Sequence, residues 1–282
     1  MTSGAIDLPA LDLAHAPRIG RGVSAEVFAL ADGRALKLLL PGVPEVAAAR
    51  ELAATRVAHA AGLPVPRPFG EVTVDGRHGL VVARLEEAPW LRRMRRWPGA
   101  VMVTLAEMAH QHAALHRVAV PAGALPTAHE VLENRIAGSL AGPAAIGAAR
   151  AALARLPHAD RLGHGDLHLG NFMTTRGGLM LIDWAQAMAG DPAADIARSE
   201  LVMRFGRYGA LLRRHAGPRV ARDAAAAWYL HCYRRLTGMS EAAIDAWRLP
   251  VAVAWLREGS AAHLPALQAY VDRRLASIRP SP

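Results

Sequence analysis

Hydrophobic residues follow two different periods in two successive parts of the chain, and this change limits the fold classes available. In the first 85 or so residues the apolar stretches are short and separated by glycine or Asp-Gly turns, as in PRIGRG, AEVFALADG and RALKLLL. From about Ala100 the spacing becomes helical, first in VMVTLAEMAHQHAALHRV. The change predicts an α+β fold with a small strand-rich N-terminal lobe and a larger, mostly helical C-terminal lobe.

The first part contains signals for about five strands and one helix. An alanine-rich segment from about Pro44 to Ala61 is bounded by a proline at its start and Gly62 after its end, as helices often are. EVTVDGRHGLVVARL predicts a β-hairpin with Asp75 and Gly76 at the turn. We expect an N-lobe over residues 1–84 and a C-lobe over 85–282. A chain of 282 residues is long enough to bury a core in both.

The net charge of +9 requires that nucleic acid be considered as a partner. The densest basic cluster lies in LRRMRRWPG and lacks the interleaved aromatic residues of a platform for single strands. Its members are Arg92, Arg93, Arg95 and Arg96. The simplest interpretation of this cluster is a solvated helix face. The other arginines are scattered along the chain, which indicates a general bias toward arginine. We therefore expect no nucleic acid partner.

The cellular compartment is predicted from the small number of cysteines and from the lack of a signal peptide and of a membrane-spanning segment in the sequence. Cys232 is the only cysteine, which excludes an intramolecular disulfide framework and suits a reducing compartment. The stretch MTSGAIDLPALDL has no basic segment before an apolar core, so we expect no signal peptide. No apolar run approaches the roughly 20 residues needed to span a bilayer. We expect a cytoplasmic protein without a membrane partner.

Gly20-Arg-Gly22-Val-Ser24 lies between the first two predicted strands. Glycines let a backbone close over phosphate groups and offer N–H donors to them. The segment is a candidate nucleotide-binding loop formed by Gly20, Gly22 and Ser24, but a structural glycine turn explains it equally well. Ala25 occupies the third glycine position of the usual G-x-G-x-x-G pattern.

Lys37, on the third predicted strand, is the only lysine of the chain. A lysine ammonium group can contact α- and β-phosphate oxygens when a helical carboxylate holds it in place. Glu51, in the middle of the following helix, is our candidate for that carboxylate. Glu45 is the alternative, although its place in the first helical turn is explained by a capping or dipole role.

The most specific motif is His164-Gly-Asp166-Leu-His168-Leu-Gly-Asn171, followed by Leu181-Ile-Asp183-Trp184. Phosphoryl transfer needs an acceptor for the proton of the substrate hydroxyl, and oxygen ligands for Mg²⁺. Asp166 suits the first task, whereas Asn171 and Asp183 suit the second. The five-residue spacing from Asp166 to Asn171 equals that of the kinase loop H-R-D-L-x-x-x-N. A turn network without chemistry would reach this order and spacing only by accident.

Several histidines and a tryptophan near these motifs have simpler interpretations. We expect His164 to pack inside the loop and Trp184 to pack beside the metal site. His112 and His116 stand one helical turn apart, a spacing found in metal sites, but no third ligand type accompanies them in their helix. The spacing therefore favours helix packing and polar contacts for this pair.

HGDLHLGN together with LIDW resembles the aminoglycoside phosphotransferase family, which is related to the protein kinases and includes choline-kinase-like enzymes. The similarity runs from about Pro17 to beyond Ala197, through GLPVPRPFG and GDPAADIA. The motifs are separate yet correctly ordered and spaced, which makes the resemblance specific. It implies a bilobal protein-kinase-like fold with ATP between the lobes.

The resemblance also implies roles for residues that the motifs alone do not assign. The hinge from Val82 to Leu85 would bind adenine through backbone atoms of Ala83 and Leu85. Asp183-Trp184-Ala185 occupies the D-F-G position, and His168 replaces the kinase catalytic-loop lysine, where it approaches the γ-phosphate or braces the loop. Asp191 and Asp195 also match family positions, and we interpret both as structural supports.

These features predict a soluble ATP- and Mg²⁺-dependent phosphotransferase that acts on a hydroxyl group of a small molecule. From Asp191 onward the chain carries eight acidic residues and fourteen arginines, a field that opposes a polycationic acceptor unless Glu200, Asp245 or Glu258 cluster locally. We therefore favour a neutral, weakly charged or anionic acceptor. Antibiotic resistance by O-phosphorylation, a catalytically silent nucleotide-binding module and, least, a nucleic-acid binder are the alternatives. The sequence leaves the oligomeric state open.

Overall fold

The computed structural model describes residues 16–86, 100–206, 219–257 and 264–278. These residues form two compact units. The first comprises the described residues of Met1–Trp90 together with Asn171–Ala187, and the second those of Leu91–Gly170 and Met188–Pro282. The basic cluster of residues 92–96 and Glu258 lie outside the described residues. The predicted lobe boundary after residue 84 stays a prediction.

The first unit is built on a five-stranded antiparallel sheet in the order β1-β2-β3-β5-β4. Its elements are β1 (Arg18–Arg21), β2 (Ala25–Ala29), β3 (Arg34–Leu39), α1 (Val46–Ala60), β4 (Pro68–Val74) and β5 (Arg77–Ala83). Five strands and one helix are what the sequence predicts for this part. β3 lies at the centre of the sheet, paired with β2 on one side and β5 on the other.

Local sequence explains the turns and the close packing of this sheet. Asp75 and Gly76 both adopt positive φ, as the predicted two-residue hairpin turn between β4 and β5 requires. Gly79 allows β5 to pack tightly against β3, because a Cβ atom there would lie 2.6 Å from the carbonyl oxygen of Lys37. Buried Leu36 and Leu38 alternate with Lys37 along β3, so Lys37 points to the opposite face.

A second, smaller hairpin also belongs to the first unit. β7 (Phe172–Thr175) and β8 (Gly178–Leu181) pair in register, with Phe172 opposite Leu181. The backbone N–H of Leu181 donates to the carbonyl of Pro64 at 2.7 Å, which ties this hairpin to the segment after α1. This hairpin occupies the stretch of chain between Asn171 and Asp183.

The second unit is mostly helical. Its described helices are α2 (Ala100–Leu115), α3 (Ala128–Ala137), α4 (Pro143–Leu153), α5 (Pro192–Phe205), α6 (Arg219–Thr237), α7 (Glu241–Trp255) and α8 (Leu264–Ile278). α5 is buried along almost its whole length and packs against both α6 and α7. The short strands β6 (Arg161–Gly163) and β9 (Met188–Gly190) pair beside the start of α5. None of the described helices is both long and apolar enough to cross a membrane.

Candidate active site

Lys37 is held by two carboxylates within the first unit. Its Nζ donates to both carboxylate oxygens of Glu51, at 2.7 and 2.8 Å, and to Oδ1 of Asp183 at 2.7 Å. Glu51 comes from the middle of α1 and is 5% exposed at its side chain, whereas the side chain of Asp183 is 47% exposed. Of the two glutamates considered from the sequence, Glu51 contacts Lys37, while Glu45 contacts His78.

The charges of this cluster keep Lys37 protonated. Burial alone lowers the pKa of a lysine, but the negative charges of Glu51 and Asp183 outweigh it and raise the pKa of Lys37 well above its usual value. Burial raises the pKa of Glu51, and Lys37 opposes that rise. Lys37 donates to both oxygens of Glu51, and hydrogen bonds of this kind favour the charged form of the carboxylate. The cluster presents a fixed cation beside an exposed carboxylate.

Asp183 follows the β7–β8 hairpin in a rare backbone conformation. Its φ is 68°, and among the described residues only Asp75 shares a positive φ without being glycine. Such a conformation costs about 1 kcal/mol or more and is often found at functional sites. The N–H of Ile182 donates to the carbonyl of Asn171 at 3.0 Å, so the hairpin register places Asn171 next to the start of the LIDW motif.

Asn171 and Asp183 fit the ligand set that Mg²⁺ prefers. Both offer side-chain oxygens, and Mg²⁺ binds one or two such ligands together with phosphate oxygens. Lys37 contacts Asp183 through Oδ1, and the side chain of Asp183 is half exposed, so a cation can approach this carboxylate. The residues predicted as metal ligands are thus chemically suited to one.

The glycine-rich segment forms the turn between β1 and β2. The N–H of Gly22 donates to the carbonyl of Ala25 at 2.8 Å, and Val23 at the tip is fully exposed. Gly20 and Gly22 have no positive φ, and a Cβ atom at either would meet no described atom closer than 3.5 Å. Neither backbone strain nor packing among the described residues therefore explains these two glycines. The β1–β2 pairing is irregular between Arg18 and Gly20, so a structural role in the turn and the approach of a ligand both stay possible for these glycines and for Ser24 beside them.

The predicted hinge residues follow the end of β5. The N–H of Ala83 donates to the carbonyl of Arg67 at 2.8 Å, so this donor is used within the sheet. The N–H of Arg84 donates to the carbonyl of Gly33 at 3.0 Å. These bonds fix the backbone on either side of the Ala83 carbonyl, whereas Leu85 forms no backbone hydrogen bond with another described residue. The adenine-binding role expected for Ala83 and Leu85 stays a prediction.

Asp166 lies in the second unit and contacts two cationic or polar side chains there. Nη2 of Arg198, on α5, donates to Oδ1 of Asp166 at 3.2 Å. Nε2 of His168 lies 3.7 Å from Oδ2, beyond hydrogen-bond distance. Nδ1 of His168 accepts the N–H of Gly170 at 3.0 Å, so the proton of a neutral ring lies on Nε2, which faces Asp166. The ring thereby braces the loop and turns its N–H toward the carboxylate.

The surroundings of Asp166 keep it ionised. Burial raises the pKa of this carboxyl group, but the contact with His168 and the positive charge of Arg198 outweigh burial and hold the pKa well below its usual range. Arg198 in turn stacks on Trp255, with its guanidinium carbon 4.3 Å from the ring centroid. Asp166 is therefore a carboxylate at any physiological pH, able to orient a hydroxyl group and accept its proton.

Asp195 anchors the loop that carries Asp166. Its two carboxylate oxygens accept the backbone N–H groups of His164, at 2.6 Å, and Gly165, at 2.8 Å. Oδ2 also accepts from Nε2 of His112 at 2.9 Å and of His116 at 3.3 Å. Although burial raises the pKa of a carboxyl group, these contacts hold the pKa of Asp195 well below its usual range. The structural role expected for Asp195 is consistent with these contacts.

The two histidines are matched by two tyrosines on α6. Nδ1 of His112 contacts the hydroxyl of Tyr229, and Nδ1 of His116 contacts that of Tyr233 at 2.7 Å. Because each Nε2 donates to Asp195, each Nδ1 accepts from a tyrosine hydroxyl. Burial raises the pKa of both tyrosines, so the hydroxyls keep the protons that they donate.

The same cluster has the composition of a metal site, since Asp195 supplies the third ligand type that the α2 sequence lacks. The ligand atoms of His112, His116 and Asp195 lie within 4.8 Å of one another. Hydrogen bonds nevertheless account for all four ring nitrogens and both carboxylate oxygens. The cluster is explained as a polar network, in line with the interpretation of the histidine pair from the sequence.

Arg198 and the tyrosine pair were not predicted from the sequence. Arg198 is one helical turn after Asp195 on α5, so helical spacing would have placed it on the same face. Tyr229 and Tyr233 repeat the four-residue spacing of the histidines, and each contact spans 117 residues. Matching spacings hint at two facing helices, but a sequence alone does not identify which helices face each other.

Solved structures show the same fold. The chain is similar to a thermostable mutant of the aminoglycoside phosphotransferase APH(4)-Ia, with a TM-score of 0.62, 14% identity, and coverage of 94% of this chain and 95% of that chain. It is also similar to an amicoumacin kinase solved with AMP-PNP and Ca²⁺, with a TM-score of 0.63, 13% identity, and coverage of 95% and 90%. A glucosamine kinase matches at a TM-score of 0.51 and 19% identity, over 94% of this chain and 77% of that chain.

These similarities confirm the predicted protein-kinase-like α+β fold. A comparison with curated proteins finds no match. The model of the phosphotransferase enzyme family, by contrast, matches residues 15–238, which is most of the chain and includes every residue predicted for the site. On this match the chain belongs to the phosphotransferase enzyme family, and the enzyme class predicted from its motifs is confirmed.

Proposed function

We propose that the protein is an ATP- and Mg²⁺-dependent kinase that transfers the γ-phosphate to a hydroxyl group of a small molecule. The observation that carries this proposal is the position of Lys37, whose Nζ lies between Glu51 and Asp183. A lysine fixed by a helical glutamate, beside the aspartate of the LIDW motif, is the arrangement that kinases need for nucleotide phosphates. A structural ion pair alone would not require the exposed carboxylate of Asp183.

The proposed reaction is a direct displacement at phosphorus. The acceptor oxygen forms a bond to the γ-phosphorus while the bond from that phosphorus to the bridging oxygen of ADP breaks. The hydroxyl proton passes to the carboxylate of Asp166 and from there to solvent. The low pKa of Asp166 makes it a weak base, which suits a loose transition state in which the proton leaves late. The main contribution of Asp166 is then to orient the hydroxyl.

Lys37 and the turn formed by Gly20, Gly22 and Ser24 would bind the phosphates of the nucleotide. Lys37 would donate to α- and β-phosphate oxygens while Glu51 keeps it in place. Backbone N–H groups of the turn would approach the phosphates where a side chain would obstruct them. Asn171 and Asp183 would hold Mg²⁺, which neutralises charge on the β- and γ-phosphates when bound.

The same proposal also says which groups bind the nucleotide base and which other partners we expect. The carbonyl of Ala83 and the N–H of Leu85 would bind adenine, and His168 would support the loop beside the γ-phosphate. We expect no nucleic acid or membrane partner, and the single thiol of Cys232 suits a cytoplasmic enzyme. Antibiotics remain one acceptor class among several, together with amino alcohols, sugars and nucleosides.

The test is a coupled ADP-release assay across those four acceptor classes, with and without a chelator of divalent cations. Asp166→Ala should abolish turnover and leave ATP binding largely intact, because the acceptor for the proton is lost while the phosphate site remains. Asp160→Ala, at an exposed carboxylate just before β6, is the matched control and should keep activity. Full activity of Asp166→Ala would refute the role of Asp166. ATP binding without transfer to any acceptor would support the silent module instead.

A further inference from the structure

The centre of the five-stranded sheet in the first unit is apolar on both faces. One face carries Lys37 and packs against α1, where Ala48 clusters with Ala25 and Leu39. The other face, called the outer face below, carries a cluster formed by Phe28, Leu30, Leu36, Leu38 and Val81. An antiparallel sheet whose second face meets water carries polar residues there. The outer face therefore has the composition of a covered surface.

The residues of the outer face are shielded from water as completely as those of a core. Leu36, Leu38 and Val81 are each 0% exposed, and Phe28 is 7% exposed. Side chains stand roughly perpendicular to a sheet, so their neighbours on the same face shield only their sides and leave their ends open. Exposures this low therefore require a further layer of protein over the face.

None of the described helices supplies this layer. Among them, α1 is the helix with extensive contacts to the sheet, and its Glu51 binds Lys37 on the opposite face. The described hydrophobic residues packed against the cluster from outside it are Val72, Val74 and Ala16. The two valines belong to β4, so they extend the apolar face and do not cover it. Ala16 is the first residue that the structure describes.

Residues 1–15, which precede Ala16, have the position and the length to cover the outer face. The carbonyl of Pro17 accepts the N–H of Ala29 at 2.8 Å, so the chain meets the sheet at the end of β2, with Ala16 already packed on the cluster. Fifteen extended residues reach up to about 50 Å. Five strands at a spacing of about 4.8 Å span only about 19 Å, so the segment is long enough to cross the sheet.

The sequence of this segment also suits an apolar surface. It reads MTSGAIDLPALDLAH and contains two apolar-Asp-apolar triplets, Ile6-Asp7-Leu8 and Leu11-Asp12-Leu13. Alternate side chains of an extended chain point to the same side, so each triplet can place two apolar side chains on the sheet and its aspartate toward water. We propose that residues 1–15 lie across the outer face and bury it with the apolar residues of both triplets. This inference does not depend on the kinase function.

Thiol reactivity in the whole chain tests the proposal. Cys232→Ser removes the native thiol, and Val81→Cys then places one thiol of similar volume on the outer face. Thr73→Cys is the matched control, because Thr73 is an exposed residue of the neighbouring strand β4. We expect Val81→Cys to react with a maleimide more slowly than Thr73→Cys, by about tenfold or more, because a covered thiol is inaccessible to the reagent. Equal rates would mean that the face is open and that the inference is wrong.

Substitutions in the segment assign the cover to residues 1–15. Leu11→Ser together with Leu13→Ser should raise the reaction rate of Val81→Cys by about tenfold or more, since the cover loses the apolar contacts that hold it on the sheet. The rate of Thr73→Cys should not change. Circular dichroism verifies that the variants are folded, and Leu13→Ala alone, with the same expected direction, replaces the double variant if that one is unfolded. An unchanged rate for Val81→Cys would show that these residues do not cover the face.

Asp7→Ser together with Asp12→Ser is the matched control for the leucine variant, with two changes to serine in the same segment. Both aspartates face water in the proposed arrangement, so the rate of Val81→Cys should stay as slow as in the parent. A rise equal to that of the leucine variant would contradict the role of the apolar residues. A rate that increases on dilution of the parent would assign the cover to a second copy of this chain and contradict the inference.

Discussion

Oδ2 of Asp195 accepts the backbone N–H of His164 at 2.6 Å, although 31 residues separate the two in the chain. Oδ1 accepts the next backbone donor, the N–H of Gly165, at 2.8 Å. One side chain of α5 thus fixes two consecutive amides directly before Asp166. Asp195, His164 and Gly165 are all buried, so water does not readily replace the carboxylate as acceptor.

Asp195→Ala should cost both stability and turnover. It leaves two buried amide donors without an acceptor, and each costs about 1–3 kcal/mol, so we expect the free energy of unfolding to fall by roughly 2–6 kcal/mol. Urea denaturation measures this loss, and the ADP-release assay measures the accompanying loss of activity. Asp191→Ala is the control, since Asp191 caps the same helix through the N–H of Ala193 and should cost only about 1 kcal/mol. Equal losses for both variants would contradict the anchoring role.

Stability should fall in weak acid because His112 is buried in its neutral form. Burial lowers the pKa of His112 from about 6.5 to about 4, and the neighbouring His116 adds to this shift. Between these values the unfolded chain binds a proton that the folded chain does not, so the free energy of unfolding decreases as the pH falls through this window. Above pH 6.5 His112 is neutral in both states and contributes no slope.

Urea midpoints between about pH 4.5 and 7.5 measure this slope. His112→Gln should flatten it, even if the variant is less stable at every pH. His110→Gln, at an exposed position on the same helix, should leave the slope unchanged. Parallel curves for wild type and His112→Gln would show that other groups cause the pH dependence.

The sequence predicts the first unit more completely than the second. Turn residues such as Asp75 and Gly76, and alternation such as that around Lys37, are local signals, and the strands form where these signals occur. The helices of the second unit are also visible as periodic patterns. Their packing is not, because it depends on contacts between distant segments, such as that between His116 and Tyr233.

The residues of the candidate site also fall into two groups: those that a local motif predicts, and those that only the folded chain brings together. Asp166, Asn171 and Asp183 lie within one ordered motif, and the structure adds to them only details of conformation, such as the positive φ of Asp183. Arg198 was missed because helical spacing places it on the same face as Asp195 but does not identify Asp166, 32 residues away in the chain, as its partner. Residues that act through their neighbours are identified only when the neighbours are known.

Arg198→Met should shift the pH dependence of turnover toward neutral pH. Arg198 supplies a positive charge at 3.2 Å from Asp166, and its removal raises the pKa of that carboxyl group toward its ordinary value or above, since burial then acts unopposed by this charge. The acid limb of kcat/KM should therefore move up by about one pH unit or more. Arg204→Met, on the same helix but paired with Glu200 and Asp223, should leave the profile unchanged. An unaltered acid limb in Arg198→Met would contradict the effect of Arg198 on Asp166.

Lys37→Arg should remove most of the activity, although arginine stands at every other Lys or Arg position of this chain. The ammonium group of Lys37 bonds two carboxylates at 2.7 Å as a compact charge, whereas a planar guanidinium has a different reach and cannot satisfy the same geometry. We expect a drop in kcat/KM for ATP of about tenfold or more, with the free energy of unfolding changed less than by Lys37→Met, which leaves the buried Glu51 unpaired. Steady-state kinetics with ATP varied, together with urea denaturation of both variants, measure the two effects. A Lys37→Arg protein with wild-type kcat/KM would show that any cation suffices at this position and that the lone lysine survives by chance.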